Sequence, residues 1–126
     1  SGELIETSDK NLKKDIIDTN LGLEFINNLN PVSYKWKDIN KDTKKHYGFI
    51  AQDVLTTLDD LNEDSSNIAI VNYDTNNDKY GIHYTGLIAP LIKAVQEQQE
   101  IIKIQRQDIE MLKKKQLELE KMIKEQ

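Results

Sequence analysis

The chain has 126 residues, of which 37% are apolar and 31% charged, and it carries a formal net charge of −5. That length suits one compact domain, and so polar a composition requires a small core with long solvated surfaces, or association with other chains. Without cysteine and with only two histidines, His46 and His83, disulfides, thiol catalysis and clustered zinc ligands are excluded, so neither a metal nor a cofactor is expected.

The Ser1-Gly2 start reads as a cut end or a tag remnant, so the chain is expected to be a piece of a longer protein, with residues 1–7 as its leader. Charges run throughout residues 1–17, which leaves no apolar core for a signal peptide. The stretch Glu6-Thr7-Ser8-Asp9-Lys10-Asn11-Leu12-Lys13-Lys14-Asp15-Ile16 places a serine five residues before one lysine and six before another. By spacing alone it is an ordinary turn cap followed by a solvated lysine face.

Residues 21–29 read as a short helix, with Leu21, Phe25, Ile26 and Leu29 on one face, Thr19 or Asn20 as cap, and Asn30-Pro31 as stop. Residues 32–37 alternate apolar and polar and predict a half-buried strand, residues 38–45 a polar loop, and residues 47–50 a returning strand. A short helix over residues 52–58 and an acidic loop over residues 59–67 follow. Its acids, among them Asp59, Asp60, Glu63 and Asp64, lack the order and central glycine of a calcium loop. Residues 68–73 and 79–84 are strand-like, joined by a hairpin turn at Thr75-Asn76-Asn77-Asp78. Within them His83 alternates with Ile82 and Tyr84 and reads as structural, while Tyr34 and Trp36 read as core or intersubunit contacts.

From Thr85 the pattern changes. Alternating steps of four and three lead through Leu91, Val95, Gln98, Ile102, Gln105, Ile109, Leu112, Gln116, Leu119 and Ile123, with seven of the ten aliphatic. Such a stripe predicts a coiled coil, with Val95, Ile102, Ile109, Gln116 and Ile123 at a and the others at d. Isoleucine at a with leucine at d favours two strands. Ile101, Ile104 and Met111 widen the apolar face, however, and a parallel trimer is the preferred reading over a dimer. From Gln96 onward seven acidic and seven basic residues cancel. The negative excess therefore lies upstream, no basic arm exists to displace phosphate counterions, and nucleic acid is not an expected partner. Unbroken apolar runs of four or five residues are too short to span a bilayer, so no membrane partner is expected either.

Four segments together resemble one family: Ser8-Asp9-x-x-Leu12-Lys13; Leu29-x-Pro31-Val32-x-Tyr34-x-Trp36-Lys37; His46-Tyr47-Gly48-Phe49-Ile50-Ala51-Gln52-Asp53-Val54; and Tyr80-Gly81-Ile82-x-Tyr84 running into Leu87-Ile88-Ala89-x-Leu91-Ile92-x-Ala94-Val95-Gln96-Glu97. They are similar to the C-terminal intramolecular chaperone domain of phage tail spikes, tail fibres and neck appendages of endosialidase type. A related domain occurs in the myelin regulatory factor family of membrane-tethered transcription factors. The resemblance covers Ser8 to about Ile102. It implies an α+β fold in which a small mixed domain of short strands and helices (residues 8–84) precedes a long helix (residues 85–126) in a parallel trimeric coiled coil. It implies a homotrimer that brings an upstream fibre of the same polypeptide into register and then cuts itself off by a serine–lysine dyad. The cleavage site is then Thr7–Ser8, with Ser8 the nucleophile, Lys13 the base, and His46 a residue needed for cleavage. It further implies assembly in the host cytoplasm and release from the mature virion fibre.

The chemistry makes its own demands. A serine hydroxyl needs a base at neutral pH, and lysine serves only when uncharged, which burial against apolar walls promotes. Leu12, Ile16 and Ile17 are expected to supply such walls for Lys13, leaving Lys14 in solvent. Five residues of ideal helix turn by about 140°, so the segment from Ser8 to Lys13 must bend, or the lysine must come from a neighbouring chain. The amides of Gly48 and Phe49 are the candidate oxyanion donors. His46 beside Lys44 and Lys45 reads equally well as a surface-loop histidine. Three rivals remain: a non-cleaving trimerisation cap, the self-cleaving module of a tethered transcription factor, and a general coiled-coil adaptor. With no membrane segment after the coil, the viral fibre is preferred over the second. The third leaves residues 8–84 unexplained.

Overall fold

A computed structural model describes residues 5–126. Its architecture is α+β: two separate two-stranded antiparallel ribbons and two short helices gather at the root of one long C-terminal helix. Residues 5–20 form no regular element except a single 3₁₀ turn at Lys10–Leu12.

The first helix, α1 (Leu23–Asn27), is shorter than its apolar pattern suggests and inserts Phe25 fully into the core. Neither predicted cap holds it. Thr19 Oγ1 accepts from the amide of Leu21, before the helix, and no side chain at the Gly22 cap position takes a helix amide. The donor at Leu23 is met instead by Glu97 Oε1 at 3.1 Å, supplied by the long helix. Gly22 is needed for that approach, since a Cβ there would lie 1.8 Å from the Glu97 oxygen.

Strands β1 (Val32–Tyr34) and β2 (His46–Gly48) pair with Val32 opposite Gly48 and Tyr34 opposite His46. Both are truncated relative to the alternation in the sequence, because pairing stops where residues 35–45 leave as a loop. Helix α2 (Ala51–Asp60) then buries Val54, Thr57 and Leu58. It runs two residues into the expected acidic loop and ends at Asn62, whose φ of 61° is left-handed. The amides of Asn62 and Glu63 return to the carbonyls of Asp59 and Leu58, the pattern of a Schellman stop. A second 3₁₀ turn, Ser65–Asn67, leads to β3 (Val71–Asp74), which pairs with β4 (Lys79–Ile82), Val71 opposite Ile82. The turn between them is at residues 75–78, as predicted, and Asp78 takes its left-handed position with φ of 51°.

The core is one small cluster: Phe25, Val54, Leu58, Ile70, Val71 and Leu87, with Leu21, Ile26, Phe49 and Leu55 around it. A 3₁₀ turn at Tyr84–Leu87 brings Leu87 into this cluster and continues directly into α3 (Ile88–Lys124), 37 residues long. Only the root of α3, through Pro90 and Ala94, is buried, against α1. No helix among the described residues is long and apolar enough to cross a membrane.

Candidate functional site

The turn at Lys10–Leu12 decides the geometry around Ser8. Asp9 caps it: its side chain accepts from the amide of Asn11, and its carbonyl accepts from the amide of Leu12. Asp9 and Lys13 flank the turn in extended backbone, with φ, ψ of −68°, 129° and −114°, 148°. A tight turn between two extended residues directs the side chains before and after it toward each other, which a continuous helix cannot do at this spacing. Lys13 Nζ donates to Ser8 Oγ at 2.6 Å. The required bend is therefore present within a single chain.

The expected apolar walls are not. Leu12 is 74% exposed, Ile16 65% and Ile17 86%, so the aliphatic residues beside Lys13 face solvent in the single chain. Ser8 and Lys13 are themselves exposed. The composition of the segment predicted a pocket, but the segment makes no layer against the core that could form one.

His46 opens β2 and is half-buried. Its Nε2 is 2.9 Å from both carboxylate oxygens of Asp42, and its ring stacks on Tyr34 at 5.6 Å with the planes 22° apart. Trp36 flanks it at 5.9 Å and carries the Lys41 ammonium over its own face at 4.3 Å. The hydrogen bond from His46, followed by the amide of Lys44, holds the Asp42 carboxyl below the usual carboxylate range. His46 makes no hydrogen bond to Ser8 or Lys13 among the described residues.

The amide of Phe49 already has a partner, the hydroxyl of Tyr84 at 3.3 Å. Gly48 makes room for that hydroxyl: a Cβ at Gly48 would lie 2.5 Å from Tyr84 Oη. Neither amide is hydrogen-bonded to Thr7 or Ser8 among the described residues. His83 is structural in its contacts, donating its amide to the carbonyl of Ile70 and pairing its ring nitrogen with Thr85 Oγ1. Among the described residues no cluster of acidic or histidine side chains is arranged to hold a metal.

The predicted seam of α3 runs along one side of a helix that projects beyond the core. Leu91, Val95, Ile102, Ile109, Leu112, Leu119 and Ile123 are each 40–70% exposed. Asp42, which the sequence reading did not single out, emerges as the partner of His46; its place four residues before that histidine was the one available signal. Tyr84 belongs to the fourth family segment, but nothing local pointed to its partner, the Phe49 amide 35 residues away.

Residues 8–63 match the family model Peptidase_S74, described as the chaperone of endosialidase, and the match begins at Ser8 itself. A crystal structure described as that of a novel intramolecular chaperone is similar in fold at a TM-score of 0.58, with 19% identity over 74% of this chain and 98% of that one. No curated protein matches the chain. Residues 8–63 are thus similar to the chaperone domain of endosialidases, and in this chain they are joined to a hairpin and a long C-terminal helix.

Proposed function

We propose that the chain is a C-terminal intramolecular chaperone that trimerises through α3 and registers an upstream fibre, spike or appendage. It then releases itself by cutting Thr7–Ser8. The observation that carries this reading is the 2.6 Å contact between Lys13 Nζ and Ser8 Oγ, at the position where the family match begins. Trimer formation is supported by the unpartnered aliphatic stripe along α3 and by the width that Ile101, Ile104 and Met111 add to it.

In the proposed step the uncharged Lys13 amine takes the Ser8 hydroxyl proton as Oγ bonds to the carbonyl carbon of Thr7. The C–N bond then breaks, the proton passes to the departing Ser8 nitrogen, and Thr7 is left as an ester on Ser8 Oγ. Water hydrolyses that ester to a Thr7 carboxylate and a free Ser8 amine and hydroxyl. Adjacency of nucleophile and carbonyl in one chain replaces much of the entropy cost of bringing them together. The amine must first lose its proton. Packing Leu12, Ile16 and Ile17 against neighbouring subunits would desolvate it, which ties the chemistry to assembly. Long fibres have many non-local pairings and fold slowly. Three tails joined by a coil raise the local concentration of their stalks to about millimolar, and removal of the coil leaves the folded fibre kinetically trapped.

A second reading, a trimerisation cap with an inert Ser8, is favoured by the solvent exposure of Ser8 and Lys13 in the single chain. The two separate on one experiment: intact mass of the domain carrying a longer upstream segment. Loss of everything before Ser8, abolished by Ser8→Ala and by Lys13→Ala without loss of assembly, is the expected result. An uncut wild-type chain, or cutting at Thr7–Ser8 in the Ser8→Ala chain, contradicts it.

A further inference from the structure

His46 is held more firmly than a surface-loop histidine requires. Tyr34, directly opposite it in the ribbon, fixes one face of the ring, and Asp42 receives one of its nitrogens. Asp42 is in turn oriented by the backbone, its Oδ1 accepting the amide of Lys44 at 2.8 Å. Two lysines near it are directed at aromatic rings, Lys41 over Trp36 and Lys45 over Tyr47. The imidazole has one carboxylate partner, Asp42.

A carboxylate only accepts, so the hydrogen it receives belongs to Nε2. In the neutral ring this leaves the lone pair on Nδ1, which has no hydrogen-bond partner among the described residues. An oriented histidine with one nitrogen left without a hydrogen-bond partner is an arrangement that suits a proton-transfer group.

We propose that Asp42 is a positioning residue for self-cleavage: it locks His46 as the Nε2–H tautomer and so makes Nδ1 the working nitrogen. The inference rests on the reading of His46 as a residue needed for cleavage. The geometry that carries it is the pairing of both Asp42 oxygens with Nε2, with Tyr34 stacked along one face of the ring.

Two measurements on the full chain with its upstream segment test it. The first is ¹⁵N NMR of the His46 ring in the uncleaved Ser8→Ala background. The Nε2–H pattern is expected there, and Asp42→Asn, whose amide can donate as well as accept, should abolish the preference. The second is the cleavage rate by intact mass. Asp42→Asn and Asp42→Ala should slow it roughly tenfold or more, with Asp42→Glu recovering part of the rate and of the tautomer preference. Thermal melting of each variant confirms that the fold is retained. An Nδ1–H ring in the Ser8→Ala parent overturns the proposal. So does wild-type cleavage by Asp42→Asn when His46→Gln is inactive, an outcome that leaves the role of His46 standing. Wild-type cleavage by His46→Gln removes both, and an uncut wild type removes the self-cleavage reading with them.

Discussion

Ser8 and Gly48 show how much a single residue contributes to this surface. Ser8 meets Lys13 because Asp9 caps a three-residue turn, so the contact depends on the turn and not on the five-residue spacing. Gly48 is the point at which Tyr84 reaches across to the amide of Phe49, and the absence of a Cβ is what allows it. Gly48→Ala forces the Tyr84 hydroxyl outward, breaks that bond and is expected to destabilise the domain by about 1–2 kcal/mol, read from urea unfolding. Unchanged stability would show that Tyr84 contributes nothing there. At this scale the sequence singled out Ser8 and Lys13 only through the family resemblance, since their spacing alone is that of a turn cap before a solvated lysine face. It was opaque where the partner is distant. Glu97 caps α1 from 74 positions away, and the local pattern around Gly22 offered Thr19 and Asn20 in its place.

Among the elements, α3 was the most legible, because an apolar period repeated over several heptads overrides local noise. The ribbons were less so. Alternation indicated strands over residues 32–37 and 68–73, but their length is set by how many partner residues stand opposite, which alternation does not encode. The end of α2 illustrates the same limit: Asn62 stops the helix in a left-handed conformation that composition alone assigned to a general acidic loop. Asn62→Ala should destabilise by about 1 kcal/mol, because it keeps the Cβ in the left-handed region and loses the short polar side chain that tolerates it, while Asn62→Gly, which removes the Cβ, should be neutral or stabilising. Equal thermal midpoints for the two would contradict the Schellman stop.

The loops respond to acid. Asp42 is held low by His46 and then by the Lys44 amide, and Asp74 by the Asn77 side chain and then the Asn76 amide. Both folded values lie below the unfolded value of 3.8. Their stabilisation is therefore complete above that pH and is lost as the pH falls through the lower folded values. Hydrogen exchange should show residues 40–46 and the β3–β4 turn loosening first below pH 4. Loss of protection there at neutral pH would contradict this assignment.

Across the described residues, a small core supports a helix that is exposed from Val95 to its end. The core gathers Phe25, Val54, Leu58 and Leu87 at one end, while the seam residues beyond Val95 stay half-exposed. Such a helix carries the burden of association in the proposed trimer, and its three seam glutamines set register at some expense in stability. The long helix followed from the periodicity of the sequence, and the α+β class from the family resemblance. The apolar cover expected over Lys13 did not, because Leu12, Ile16 and Ile17 make no layer against the chain's own core. Ile109→Asp, a charge at the middle of the seam, should dissociate the assembly and slow cleavage together, as read by light scattering and intact mass. Cleavage unaffected by dissociation would separate the two activities.

Sedimentation equilibrium of the isolated chain at micromolar concentration tests association most directly. The proposed trimer requires a mass three times the 14.6 kDa of one chain. A single species at the mass of one chain would contradict it.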